Sequence, residues 1–210
     1  MIFNLGRIRN HTKSLLHFDG ADGSTTFVDE TGKIWTGNSY AKIYTGYVKF
    51  GTASLYPGYG ITTPSSSDFA FLTENFTIDF WAYFTPNYYT VGIYLDKTNT
   101  IGKHGIWYYM NGNRCILHYN GSEIYNSGDN AFSLSDWAHI ALVGTGSAIK
   151  IYLNGVLFHS VTVNYNIPTN DAAIFGTNYN ATCPVDEFRI SNFARWTTDF
   201  TPPATAYVLD

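Results

Sequence analysis

The chain has 210 residues, a net charge of −4 at pH 7, 18% aromatic residues and only 13% charged ones. It has no basic run, which argues against a nucleic-acid partner, and no apolar stretch near the roughly 18 residues of a membrane span. With 17 Tyr and 19 Gly it reads as an all-β chain with many turns, of a size that β-sandwiches reach as one domain.

Residues 1–13 carry Arg7, Arg9, His11 and Lys13 between apolar residues. They are expected to be an N-terminal arm or edge strand, with an arm that docks on a partner as the functional alternative, and one domain follows over 14–210. The first residues lack the apolar core of a secretion signal. Short strands are expected at 14–18, 25–28, 34–35 and 42–44, and a glycine-kinked one at 50–56. Residues 64–68 read as a polar loop and 68–72 as one helical turn.

The clearest strand is Phe76 to Phe84. Phe76, Ile78, Phe80, Ala82 and Phe84 share one face, and Thr77, Asp79, Trp81 and Tyr83 share the other. The first face must be core, since each large side chain contributes roughly 1.5–3 kcal/mol on burial. The second face has two readings. It is a sheet surface packed under a loop or a neighbouring subunit, or it is a sugar platform. In the platform, Trp81 and Tyr83 stack on pyranose faces and Asp79 accepts from hydroxyls.

Strands at 88–96, 104–110, 114–119 and 123–126 follow. Trp107 and Tyr108 are adjacent, so only one of them can join a given sheet face, and Trp107 is a weaker candidate for the platform. Residues 136–163 form a meander with strands at 137–143, 149–153 and 156–163. Ile149, Ile151 and Leu153 point inward, alternating with Lys150, Tyr152 and Asn154, and Asn154-Gly155 makes a two-residue hairpin turn. Strands at 172–176 and 185–191 and a short helical turn at 194–199 complete the chain. Many short strands with almost no helix indicate a sandwich or jelly roll. Cys115 and Cys183 show no metal-site spacing; two thiols in or near the core are expected, with a disulfide as the alternative.

Several blocks carry a resemblance in order: LLHFDGADGSTTFVDETG, KFGTASLY, ENFTIDFWAYF, DWAHIALV with IKIYLNG, and VDEFRISNFARWTTDFTPP. Together they resemble the laminin-G-like jelly rolls of the concanavalin A-like lectin/glucanase superfamily over roughly residues 14–203. The resemblance implies a two-sheet antiparallel β-sandwich. The HFDG start and the RISNFARWTTDFTPP end look like versions found in bacteriophage tail, fibre and other virion proteins.

Glycosidases on this fold space two or three carboxylates along one strand, so that two reach the same glycosidic bond. Here the matching strand has Asp79 alone, and the adjacent Asp186 and Glu187 point to opposite faces. No catalytic residue is expected. Asp186 shares an alternating face with Phe188 and Ile190, so its carboxylate must be paired, hydrogen-bonded or bound to a cation. The resemblance implies a structural Ca²⁺ held by Asp19, the Gly51 carbonyl and Asp186, and hard oxygen ligands suit it. Otherwise Asp186 caps backbone N–H groups or pairs with Arg189 or Lys49.

These readings lead to a non-enzymatic bacteriophage virion protein, a tail fibre, appendage or decoration subunit. It would assemble in the host cytoplasm with itself or other virion proteins and attach to a host surface. The alternative is an extracellular carbohydrate-binding module with a glycan receptor. A glycoside hydrolase ranks third.

Overall fold

The computed structural model describes residues 10–84, 90–96, 105–111, 114–128, 136–168, 170–175 and 183–210. The described strands are β1 (Thr12–Leu16), β2 (Phe27–Val28), β3 (Ile34–Gly37), β4 (Lys42–Tyr44), β5 (Ser54–Tyr56), β6 (Ile61–Ser66), β7 (Phe76–Phe84) and β8 (Thr90–Asp96). They continue with β9 (Gly105–Asn111), β10 (Arg114–Tyr119), β11 (Ser122–Asn126), β12 (Asp136–Gly144), β13 (Ala148–Leu153), β14 (Val156–Thr162), β15 (Asn170–Phe175) and β16 (Val185–Ser191). They form two antiparallel sheets. The first runs β14-β13-β12-β7-β16-β5-β4, with β1 also paired to β16, and the second runs β11-β10-β9-β8-β15-β6-β3-β2.

The alternation along β7 sets the sandwich. Ile78 and Phe80 face Leu142 and Ile140 of β12 across the ladder, and Phe76, Ile78, Phe80, Ile149, Ile151 and Phe188 are buried between the sheets. Leu153 packs against this core while partly buried. The Trp35 ring of the second sheet meets Phe188 of the first edge-on at 5.7 Å. Asn154 (φ 50°) and Gly155 (φ 80°) make the β13–β14 turn, as their tolerance of left-handed backbone requires. Cys115 and Cys183 are both buried as thiols, with no disulfide between them.

Three expectations are corrected. Residues 61–66, read in part as loop, form β6 between β15 and β3. Pro64 stands where the pairing slips between Thr63 and Ser66, a place where a proline without an N–H is tolerated in a ladder. Residues 50–53 are a turn, and only 54–56 are strand. Residues 194–199 are not helical.

Instead, residues 192–210 form an irregular strap across the outer face of the first sheet. Ala194, Trp196 and Phe200 cover Ala141, Val143 and Tyr152. Tyr207 packs on Leu15 and Trp81. Lys150 Nζ donates to the Thr197 carbonyl (2.7 Å) and Leu157 N–H to Asp199 Oδ1 (2.8 Å). The strap explains why every residue of β16 is buried and why Tyr152, on the outward phase of β13, is buried too.

Candidate functional site

The outward face of β7 becomes more exposed from one end to the other. Thr77 and Asp79 are fully buried. Arg189 donates to Asp79 through Nε (3.1 Å) and Nη2 (2.8 Å), a bidentate pair. His139 Nε2 lies 3.6 Å from the same carboxylate and 2.9 Å from the Tyr207 hydroxyl. Burial alone would raise the Asp79 pKa, but the Arg189 charge beside it, with His139, holds it well below the usual carboxylate range. Trp81 is 7% exposed. Lys49 Nζ lies over its ring at 4.0 Å, and Phe50 meets it edge-on at 6.0 Å. Asp79 and Trp81 therefore offer nothing to a sugar. Their role as hydroxyl acceptor and stacking surface is corrected to that of a buried ion pair and a ring packed under the strap. Trp107 lies in β9 of the second sheet, opposite His118 and Tyr94. It does not share a sheet with Trp81, and its side chain lies outside the described residues.

Tyr83, last in the outward series, emerges from this cover. Its ring stacks on Tyr47 at 4.1 Å and meets its ladder partner Trp137 edge-on at 5.6 Å. Tyr47 reaches Tyr44 at 6.0 Å, and Tyr44 meets Tyr56 edge-on at 5.9 Å. This aromatic ribbon crosses from β12 through β7 to β5 and β4. Tyr47 is 38% exposed, and Tyr44, Tyr56, Tyr83 and Trp137 are half-buried. Lys42, on the face shared with Tyr44 and its ladder partner Tyr56, holds its ammonium 5.9 and 6.0 Å from those rings. Among the described residues, Lys42 has no carboxylate within ion-pair reach. Burial, with Tyr47 and Asp136 nearby, raises the Tyr83 phenol above its ordinary pKa. Of the four residues named for the platform, only Tyr83 belongs to the ribbon. Tyr44, Tyr47, Tyr56, Trp137 and Lys42 were not anticipated, although five tyrosines between 40 and 59 were a visible signal.

The three candidate calcium ligands meet at one turn. Asp186 Oδ2 accepts the N–H groups of Lys49 (2.9 Å) and Phe50 (3.1 Å), and Oδ1 accepts that of Glu187 (2.9 Å). Asp19 Oδ1 accepts the N–H and the hydroxyl of Thr52. Gly51 (φ 64°) sits against the Asp19 carboxylate, where a Cβ would collide with it. Burial pushes the Asp186 carboxyl up to about 7, against the pull of these N–H donors. Asp186 does not share the core face with Phe188 and Ile190. A bulge between Asp186 and Arg189, with Glu187 at φ 53°, sets Asp186 opposite Trp81 on the outer face. The donor set is all oxygen and fits a hard cation in kind. Among the described residues no group of three or more Asp, Glu, His or Cys side chains is gathered to hold a metal.

The Laminin_G_3 family, within the concanavalin A-like lectin/glucanases superfamily, matches residues 57–199. No curated protein matches the chain in sequence. In structure the chain is similar to the binding domain of botulinum neurotoxin serotype D, with TM-score 0.62 and 13% identity over 90% of this chain and 50% of that one. It is also similar to the binding domain of botulinum neurotoxin DC in complex with SialylT, with TM-score 0.61 and 15% identity over 89% and 49%. A third likeness is to the same domain in complex with rat synaptotagmin II, with TM-score 0.56 and 15% identity over 88% and 49%. The chain spans about half the length of these domains, and at such identity the likeness carries the fold alone. With the family match over residues 57–199 and the two-sheet jelly roll described above, the chain belongs to the concanavalin A-like lectin/glucanases superfamily.

Proposed function

We propose that this chain is a non-catalytic attachment module that binds a glycan on the aromatic ribbon Tyr44, Tyr47, Tyr56, Tyr83 and Trp137. The ribbon carries the reading: its rings lie on a part of the first sheet's outer face that the strap does not cover, and half-exposed rings suit the apolar faces of pyranoses. Lys42 at its edge, which makes no ion pair among the described residues, adds a cation for a hydroxyl or an acidic group. The buried Asp79–Arg189 pair supports a binding role over a hydrolytic one, because it removes the one outward carboxylate of β7 from solvent. The similar toxin binding domain, in complex with SialylT in one structure and with a protein in another, supports recognition as a use of this fold. A glycan array tests the proposal. Wild type should bind, and Tyr47→Ala and Tyr83→Ala should lose binding with unchanged circular dichroism. Binding unaffected by both substitutions would move the site elsewhere, and turnover of a polysaccharide would overturn the non-catalytic role.

We also propose that the module works on a virion, as part of a fibre, appendage or decoration. The terminal blocks HFDG and RISNFARWTTDFTPP support this, as does the β2–β3 edge hairpin. There the ladder partners Val28 and Ile34 are 61% and 73% exposed, an apolar edge suited to a neighbouring subunit. Mass spectrometry of purified particles should find the chain; its absence from particles would count against this placement. A structural Ca²⁺ at the turn of Asp19, Gly51 and Asp186 is likewise our proposal, supported by the carboxylates of Asp186 and Asp19 both reaching the backbone of residues 49–52.

A further inference from the structure

The ribbon lies across the strands, from Trp137 on β12 through Tyr83 on β7 to Tyr56 on β5 and Tyr44 on β4. Strand β16 lies between β7 and β5, so the path takes four strand spacings of about 4.8 Å, about 19 Å in all. That length suits a run of several sugar residues. Its two ends carry opposite charges.

Lys42 stands at the β4 end, on the face shared by Tyr44 and by its own ladder partner Tyr56. Its ammonium is 5.9 and 6.0 Å from the two ring centroids, at the outer limit of a cation–π contact. Other cations are better held. Arg189 pairs with Asp79, Arg195 with Asp210 and Lys33 with Asp68, and Lys49 lies over Trp81 at 4.0 Å. The turn of residues 22–24 runs beside β4, through Gly23 N–H to the Ile43 carbonyl and Ile43 N–H to the Ser24 carbonyl. The acid of that turn, Asp22, accepts the Thr45 N–H (3.1 Å) and forms no ion pair with Lys42. Lys42 is thus a half-buried cation between two rings, with no carboxylate partner among the described residues. At the β12 end, Asp136 is exposed beside Trp137, whose N–H its Oδ1 accepts (2.8 Å).

Resting on the reading of the ribbon as a glycan site, we propose that its ligand is an anionic glycan bound in one direction. A carboxylate or sulfate group sits on Lys42, and neutral residues run toward Asp136. A hydroxyl on the ammonium would only replace a water and gain little. An anion forms a charge-assisted hydrogen bond, about twice as strong, where two rings displace part of the water and lower the effective dielectric constant. An anion at the other end would meet the like charge of Asp136. Lysine acts as a point charge, so carboxylate and sulfate serve alike.

Matched pairs of immobilised glycans test this. Each anionic glycan that wild type binds should bind about tenfold more tightly than its carboxyl-reduced or desulfated counterpart, and the treatment that weakens binding identifies the anion. NaCl near 1 M, which screens charges beyond roughly 3 Å, should narrow the gap. Lys42→Met should bring the anionic member down to the level of the neutral one, and Lys42→Arg should keep the gap. Glycans with an anion on every residue should bind Asp136→Asn better than wild type. The matched pairs and the salt series need only wild type, so they decide the question even where a variant fails to fold. Suppose that Tyr47→Ala and Tyr83→Ala abolish binding, but the members of each pair bind equally or the preference survives Lys42→Met. The inference is then overturned while the ribbon stands. An Asp136→Asn without effect would overturn the direction. Binding indifferent to both tyrosine substitutions, or an array with no bound glycan, would remove the ribbon and this inference with it.

Discussion

At Asp79 the sheet holds a carboxylate where neither water nor a sugar reaches it. Breaking a buried ion pair from one side leaves the other charge uncompensated, so Asp79→Asn should cost about 3–5 kcal/mol at pH 7 in urea unfolding. The folded-state pKa lies below the ordinary value of about 3.9. The group's stabilisation is thus fully present above about pH 4 and is lost as the pH falls below it. The gap between wild type and Asp79→Asn should narrow by about 1.4 kcal/mol per pH unit there; a gap independent of pH would contradict the pair. Asp79 also marks a limit of sequence reading. Its place on the outward face of β7 was legible from the alternation, but its partner was not. Arg189 meets Asp79 only because the Glu187 bulge shifts β16 by one residue. The same bulge moved Asp186 off the face that simple alternation assigned to it.

Among the elements, β7 and the β12–β14 meander were legible because periodicity, β-branched and aromatic content and the Asn-Gly turn agree. β6 was not, since a polar run with a proline resembles a loop until Ile61 and Thr63 are seen buried beneath their neighbours. Only residues 194–199 of the strap resemble a helical turn in sequence, and they are not one because a long-range fit, not local pattern, decides the course of the chain there. Gly155 shows how closely it is fitted. A side chain there would run into the Phe200 carbonyl, and the Phe200 N–H donates to the Gly155 carbonyl at 2.9 Å. Gly155→Ala should therefore cost more than the roughly 1–2 kcal/mol of its left-handed backbone. Hydrogen exchange at the Phe200 amide should speed up with it. Destabilisation without faster exchange would place the strain in the hairpin alone. Tyr207→Phe, which leaves a buried His139 nitrogen without its hydroxyl, should cost roughly 1–3 kcal/mol by thermal unfolding.

On the scale of the molecule, two covers close the outer face of the first sheet: the strap over β12, β13 and β16, and the turn near Lys49 and Phe50 over Trp81. Their boundaries leave the ribbon open. The jelly roll itself was legible from strand number and motif order. The site was not, because its rings come from four strands and one loop, and only the ladder and the covers decide which tyrosines reach solvent. The proposed calcium would tighten the turn beside the ribbon. EDTA should then lower the Tm and added Ca²⁺ restore it, as mass action requires; a melting curve indifferent to both would remove the metal. The ribbon is the central claim, and NMR of the protein with ¹³C-labelled tyrosine rings tests it most directly. On titration with a glycan that binds, the resonances of Tyr44, Tyr47, Tyr56 and Tyr83 should shift together while those of Tyr152, Tyr165 and Tyr207 stay still. Saturable glycan binding that leaves the four ribbon tyrosines unmoved would contradict the account.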